Sequence, residues 1–255
     1  MLIKDLAVCI QAADFSETSQ VLTFFARQTG KIRCIAKGSK RAKSPFDGAI
    51  ELFAFGDIVF SSSAEDKLST LTEFEQHKPL TGLSSKLPCL NSALFAAELV
   101  NKFTKEHDPH PELFDTFLQF LKDLNDLKDS SSTWLSLLIL FKLSLFKHVG
   151  LQPVLNNCIN CKRKFEPVSP GSRTKAAINQ FYFSSSANGL VCRDCENAFT
   201  DKIRLTEKAS ACLADLRLIG SADEKTIKEI ETILINHISQ LLGRPPKMAK
   251  YILKI

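Results

Sequence analysis

The spacing of apolar residues changes character along the chain, and each change predicts a different architecture. Up to about residue 80 the apolar positions come in short runs. "LAVCIQA", "SQVLTFFAR", "KIRCIAKG", "ELFAFGDIVFSSS" and "KLSTLTEFEQ" are rich in β-branched and aromatic residues and separated by polar turns. Gln28-Thr29-Gly30-Lys31 is a turn in which Gly30 is free to take positive φ. This succession of short strands predicts a small β-sandwich or barrel. The pleat sets the faces of "KIRCIAK": Ile32, Cys34 and Ala36 point into a core, and Lys31, Arg33, Ile35 and Lys37 point outward.

From Pro88 to Gly150 the period becomes helical. "LNSALFAAELVNKF" groups Leu90, Leu94, Ala97 and Val100, and "PELFDTFLQFLKDLND" groups Leu113, Phe117, Phe120, Leu121 and Leu124. A third helix begins after "DSSST", where a serine can cap it, and stops at Gly150. It is apolar nearly all round, which predicts a central position. Its run from Trp134 to Phe146 is interrupted by Lys142 and falls well short of the roughly 20 apolar residues that cross a bilayer. The pattern breaks between residues 151 and 200, then returns in "LTEKASACLADLRLI" and "DEKTIKEIETILINHISQLLG". The expected organisation is therefore a β-domain over 1–80, a helical domain over 81–150 and 201–255, and a cysteine-bearing element over 151–200.

Composition adds little to this picture and local chemistry adds more. The chain has 255 residues, 44% hydrophobic and 24% charged, with a net charge of +5. That is globular material for real cores, with a slight bias toward anionic partners. The start of the chain lacks the apolar core and cleavage pattern of a signal peptide, so the eight cysteines are expected in a reducing compartment. Cys158, Cys161, Cys192 and Cys195 form two C-x2-C knuckles, which supply the four thiolates of a closed, tetrahedral, structural zinc site. A redox dithiol is the rival, but it ordinarily uses a single such motif at a helix start. Cys9, Cys34, Cys89 and Cys212 sit among apolar residues and read as core. His107 and His110 lie in a polar interhelix loop that does not look like a metal site. Phosphate-binding, dinucleotide, zinc-protease and nucleophile-elbow motifs are absent from the sequence, so a non-enzymatic protein is expected.

Arg27, Lys31, Arg33, Lys37, Lys40, Arg41 and Lys43 follow one another with no acid between them. A solvated face of like charge would keep the protein soluble. The clustering fits nucleic-acid phosphates better, because each neutralised phosphate releases counterions. Phe24, Phe25, Phe46, Phe53 and Phe55 lie nearby as core residues or base-stacking candidates.

Taken together these segments resemble the RecO family of bacterial recombination mediators. In "FSETSQVLTFFARQTGKIRCIAKGSKRAKSPF", Glu17, Thr18, Thr23, Phe25, Gly30, Lys37, Gly38, Ser44 and Phe46 fall in the family's places. "LFKLSLFKHVGLQPVLNNCINC" and "FYFSSSANGLVCRDC" are similar to its helix and paired knuckles. Lys162 and Asn188 depart from it, standing where glycines are usual, and some members lack the cysteines. The resemblance implies an α+β chain with an N-terminal OB-fold, a helical domain and an inserted four-cysteine zinc-binding element. It implies binding of single- and double-stranded DNA, annealing of complementary strands, and loading of RecA onto strands covered by single-strand binding protein (SSB). It implies as partners RecR and the C-terminal tail of SSB, no membrane, and a bacterial cytoplasmic, nucleoid-associated location. Two other readings share the charge and the cysteines: an RNA- or ribosome-associated OB and zinc module, and an adaptor whose basic patch docks acidic peptides.

Overall fold

In a computed structural model the alternating segments form β1 (Leu2–Asp14), β2 (Gln20–Ala26), β3 (Gly30–Ala36), β4 (Phe55–Ser61) and β5 (Ser69–Gln76). The structure describes residues 1–41, 44–46, 48–61, 68–128, 133–165 and 180–253. The strands close a barrel in the order β1-β2-β3-β5-β4, with β4 returning to β1. This is the OB-fold arrangement, with β3 and β5 parallel and the other pairs antiparallel. Ile32, Cys34 and Ala36 of β3 face the barrel core with Leu22, Phe24, Ile58, Phe60 and Leu71, as the pleat predicts.

Two further helices belong to the same compact unit, Met1–Asp126: α1 (Leu87–Phe103) and α2 (Pro111–Asp126). The buried face of α2 includes Leu113, Phe117, Phe120, Leu121 and Leu124, the expected set. Of the set expected on α1, Ala97 and Val100 are buried and Leu90 and Leu94 are half-buried, and Cys89, Ala93 and Ala96 are buried beside them. Small residues on that face let the helix lie close to its neighbours. Phe25, on the outer side of β2, packs against Phe114 and Phe117 of α2 at ring separations of 5.9 and 6.3 Å. The turn Gln28-Thr29-Gly30 is held by Asp5, whose buried carboxylate accepts from the Thr29 amide at 2.7 Å and hydroxyl at 2.8 Å. Gly30 has φ of 77°, and a Cβ there would stand 2.2 Å from the Asp108 carbonyl oxygen. Both the turn and the close approach of the α1–α2 loop therefore require glycine.

The second unit, Leu127–Ile255, is built on α3 (Thr133–His148), which packs against α5 (Glu224–Leu241). Gly150 ends α3 with φ of 75°, and the Leu151 amide donates to the Phe146 carbonyl at 2.7 Å. Lys142, which interrupts the apolar run, makes a fully buried ion pair with Glu231 of α5. Burial pulls the Lys142 pKa down and pushes that of Glu231 up, each opposed by the other's charge. Between these helices in the chain lie a small sheet, β6 (Phe181–Ser184), β7 (Gly189–Cys192) and β8 (Ile203–Arg204) in the order β7-β6-β8, and α4 (Glu207–Ala214). The segment expected to be one helix through Ile219 is α4 followed by a 3-10 turn, Leu216–Ser221. Asp215 breaks it by accepting from the Arg217 amide, the local side-chain bond by which Asp competes with a helix. A short helix α6 (Ala249–Ile252) follows the paired prolines. No helix among the described residues is long and apolar enough to cross a membrane.

Candidate metal centre and nucleic-acid interface

The two knuckles come from different local structures and meet. The first lies in the turn after Val154, and the second starts at the end of β7. The Ile159 amide donates to the Leu190 carbonyl at 2.8 Å, which docks the first turn against β7. The sulfur atoms of Cys158, Cys161, Cys192 and Cys195 all lie within 4.8 Å of one another. Cys161 and Cys192 sulfurs are 3.6 Å apart. Zinc–sulfur bonds of about 2.3 Å in a tetrahedron place sulfurs about 3.8 Å apart, so the donor set fits such an ion. Backbone and side-chain donors face the sulfurs: the Cys192 amide donates to Cys158 Sγ at 3.4 Å, and Asn160 Nδ2 to Cys195 Sγ at 3.3 Å. Burial alone pushes the Cys158 thiol up, but amides of Cys192, Cys161 and Asn160 outweigh it and hold the group at about 7. Four close cysteines, two of them fully buried, can hold a metal ion with no open position left for substrate. Asn160 is a contributor that spacing alone did not single out.

The other cysteines are buried, and burial pushes the Cys9 and Cys34 thiols up to about 12, as expected of small core residues. His107 and His110 do not join a metal cluster among the described residues. His110 lies 3.3 Å from Asp108 instead.

The basic residues separate into three groups. Lys31 corrects the alternation argument: it is buried, and its ammonium donates to the carbonyls of Asn101 and Thr104 at 2.7 Å each. It points away from the barrel core, as the pleat requires, but that side of β3 is covered by the C-terminus of α1. Arg27 and Lys40 are engaged by acids. Arg27 makes a two-pronged bond to Asp115 at 2.8 and 2.7 Å, and Lys40 pairs with Asp14 at 2.6 Å. Arg33, Lys37 and Arg41 are exposed, with no ion pair among the described residues. Lys43 lies outside the described residues. The five phenylalanines considered for stacking, Phe24, Phe25, Phe46, Phe53 and Phe55, are all buried.

A family model described as Recombination protein O C terminal matches residues 87–250, and one described as Recombination protein O N terminal matches residues 1–80. The chain belongs to the RecO family. A DNA repair protein RecO of Bacillus pumilus is 28% identical over 258 aligned residues, covering 98% of this chain and 93% of the relative. That of Bacillus subtilis is 26% identical, covering 99% and 94%. That of Rhodopirellula baltica is 30% identical over 190 residues, covering 74% of this chain and 66% of the relative. The two positions at which the resemblance leads one to expect glycine have a left-handed backbone: Lys162 has φ of 63° and Asn188 φ of 53°. Asn188 is a residue type that tolerates this region, and the Lys162 ammonium donates to the Ile159 carbonyl at 2.8 Å across the knuckle.

Proposed function

We propose that the chain is a DNA-binding recombination mediator of DNA repair. It anneals complementary single strands and, together with RecR, helps load RecA onto SSB-coated single-stranded DNA. The observation that carries this reading is a closed OB barrel whose basic segment leaves Arg33, Lys37 and Arg41 exposed and, among the described residues, without an ion pair, in a chain of the RecO family. Those three cations contact phosphates. Arg27, Lys40 and Lys43 extend the track, the first two by exchanging exposed ion pairs that contribute little to stability. Lys31 belongs to the fold rather than to the track. The four-cysteine cluster holds one structural zinc ion that folds its element and takes no part in chemistry. The protein hydrolyses no nucleotide, binds the acidic tail of SSB and RecR, and works in the bacterial cytoplasm at the nucleoid.

The test is annealing of complementary oligonucleotides with and without cognate SSB. Annealing that proceeds on SSB-coated strands, and fails when Arg33, Lys37 and Arg41 are together changed to Ala, supports the reading. No acceleration over the spontaneous rate, or a strong preference for RNA in competition, refutes it. So does nucleotide hydrolysis that survives repurification and disappears on changing one carboxylate.

A further inference from the structure

We propose that Phe15, at the tip of the β1–β2 hairpin, is a platform on which an unpaired DNA base stacks while the strand's phosphates run past Lys37 and Arg41. The inference rests on the DNA-binding reading above and adds to it a residue that reads single-strandedness.

Phe15 is 64% exposed, whereas the phenylalanines of the barrel strands are buried. Leaving a benzyl side chain in water forgoes roughly 1.5–3 kcal/mol of burial, part of which a stacked partner would recover. The tip that carries it is fixed. The Phe15 amide donates to the Ser19 carbonyl at 2.9 Å, and the Ser16 amide to the same oxygen at 3.2 Å. This tip is bound to the basic loop. The Gly38 amide donates to Ser19 Oγ at 3.1 Å, the Lys40 amide to the Thr18 carbonyl at 3.1 Å, and Asp14, beside Phe15, pairs with Lys40.

Beneath both loops lies Gln20, 5% exposed, whose side-chain oxygen accepts from Ser39 Oγ and the Ile50 amide, each at 2.9 Å. Its amide nitrogen donates to the Ile50 carbonyl at 3.2 Å. One buried amide thus ties the aromatic tip to the cation-bearing loop, so little ordering remains to be done on binding.

The chemistry selects a base rather than a phosphate as the partner of the tip. Residues 14–19 hold Asp14 and Glu17 and no cation, which repels phosphate, while the neighbouring loop offers Lys37 and Arg41. An apolar ring on a tip bonded to a loop whose Lys37 and Arg41 have no ion pair among the described residues suits a strand whose bases are exposed. In a duplex the bases are already stacked on each other, so the ring gains little there.

The experiment measures binding of the full-length protein to an oligo-dT and to an abasic oligonucleotide of equal length, across a salt series. Phe15→Ala and Phe15→Leu are expected to weaken oligo-dT binding about 5- to 100-fold with unchanged salt slope, and Phe15→Trp to retain it. On the abasic strand all four proteins should bind alike. The Phe15→Trp protein should show fluorescence quenching by oligo-dT and not by the abasic strand. Wild-type protein provides the blank, because its Trp134 is only 6% exposed. Unchanged oligo-dT binding by Phe15→Ala overturns the proposal, and an equal loss on both strands does the same. The first result leaves the ring no part in DNA binding, and the second assigns it to the strand backbone rather than to a base. The variant lacking Arg33, Lys37 and Arg41 separates the two claims. If it loses its salt slope while Phe15→Ala is unaffected, stacking alone fails; if wild type does not bind the oligonucleotide, both readings fall.

Discussion

Lys31 and Arg33 lie two residues apart on one side of β3, and their substitutions should behave oppositely. The Lys31 ammonium caps the C-terminus of α1, donating to two carbonyls left open where the helix ends at Phe103. In Lys31→Ala those buried carbonyls lose their donor. A hydrogen bond to a charged group contributes about 1.5–3 kcal/mol. Two such bonds would suggest more, but removing the ammonium also relieves its desolvation, which is the main cause of its lowered pKa. A net loss of about 2–3 kcal/mol is expected, or a fall in melting temperature of roughly 5–10 °C for the transition of the first unit. Lys31→Met keeps the aliphatic stem and should lose nearly as much, because the donor is what matters. Arg33→Ala removes an exposed side chain that has no ion pair among the described residues, and should stay within about 0.5 kcal/mol of wild type. Binding to an oligonucleotide across a salt series should show the reverse order. Arg33→Ala loses about 0.7–0.9 of log–log slope, one phosphate contact, and Lys31→Met keeps the wild-type slope under conditions where it is folded. Thermal melting and the salt series together decide the matter. A Lys31→Met protein that melts like wild type but loses slope as Arg33→Ala does would refute the assignment of Lys31 to the fold.

Other expectations concern the second unit. Elemental analysis should find about one zinc per chain; Cys192→Ser should release it and loosen residues 155–200, and wild-type zinc content in that variant would count against the four-cysteine site. Changing Lys142 to Met or Glu231 to Leu alone should destabilise by about 3–5 kcal/mol, while the double change should be near neutral in denaturant titrations; additive losses would mean the two charges do not stabilise one another. His237 is fully buried between the rings of Phe146 and Phe183 at 5.4 and 5.2 Å, and burial lowers its pKa to about 4, opposed by Asp201. Its folded pKa lies below the ordinary 6.5, so its contribution is intact above about pH 6.5 and is lost as pH falls toward 4, by up to about 3 kcal/mol. His237→Leu should flatten that acid limb, and an unchanged limb would point to other groups.

The strand pleat placed Ile32, Cys34 and Ala36 in the core and put Lys31 on the opposite side. It could not say what covers that side, because the carbonyls that hold Lys31 come from a helix end about 70 residues later. Alternation reports the face of a strand and is silent on its neighbours. The same gap hid Phe15. Five phenylalanines in apolar runs drew attention, whereas the exposed one sits at a hairpin tip whose setting appears only when two loops meet through Gln20. The cysteines were the opposite case: a knuckle is set by a two-residue spacing, and only one long-range pairing was needed to bring the second knuckle up. Lys142 was visible as an interruption, but its partner Glu231 lies on a helix whose pattern alone gave no sign of a buried acid.

The closure of the barrel has a kinetic consequence. β2 and β3 are neighbours in the chain and pair over seven residues, whereas among the described residues β3 and β5 join through two pairs, Cys34 with Ser69 and Ile35 with Thr70. That seam brings together segments some 35 residues apart and returns few hydrogen bonds for the loop entropy it consumes, so it should be the last contact of the barrel to form. By the same reasoning it should be the first to open. Native-state hydrogen exchange should find the amides around Ser69 and Thr70 exchanging through local openings, while those of β2 exchange only with unfolding of the whole barrel. The barrel would then behave as a ribbon with a latch, and a nucleic acid or protein that needs to spread it has one place to begin.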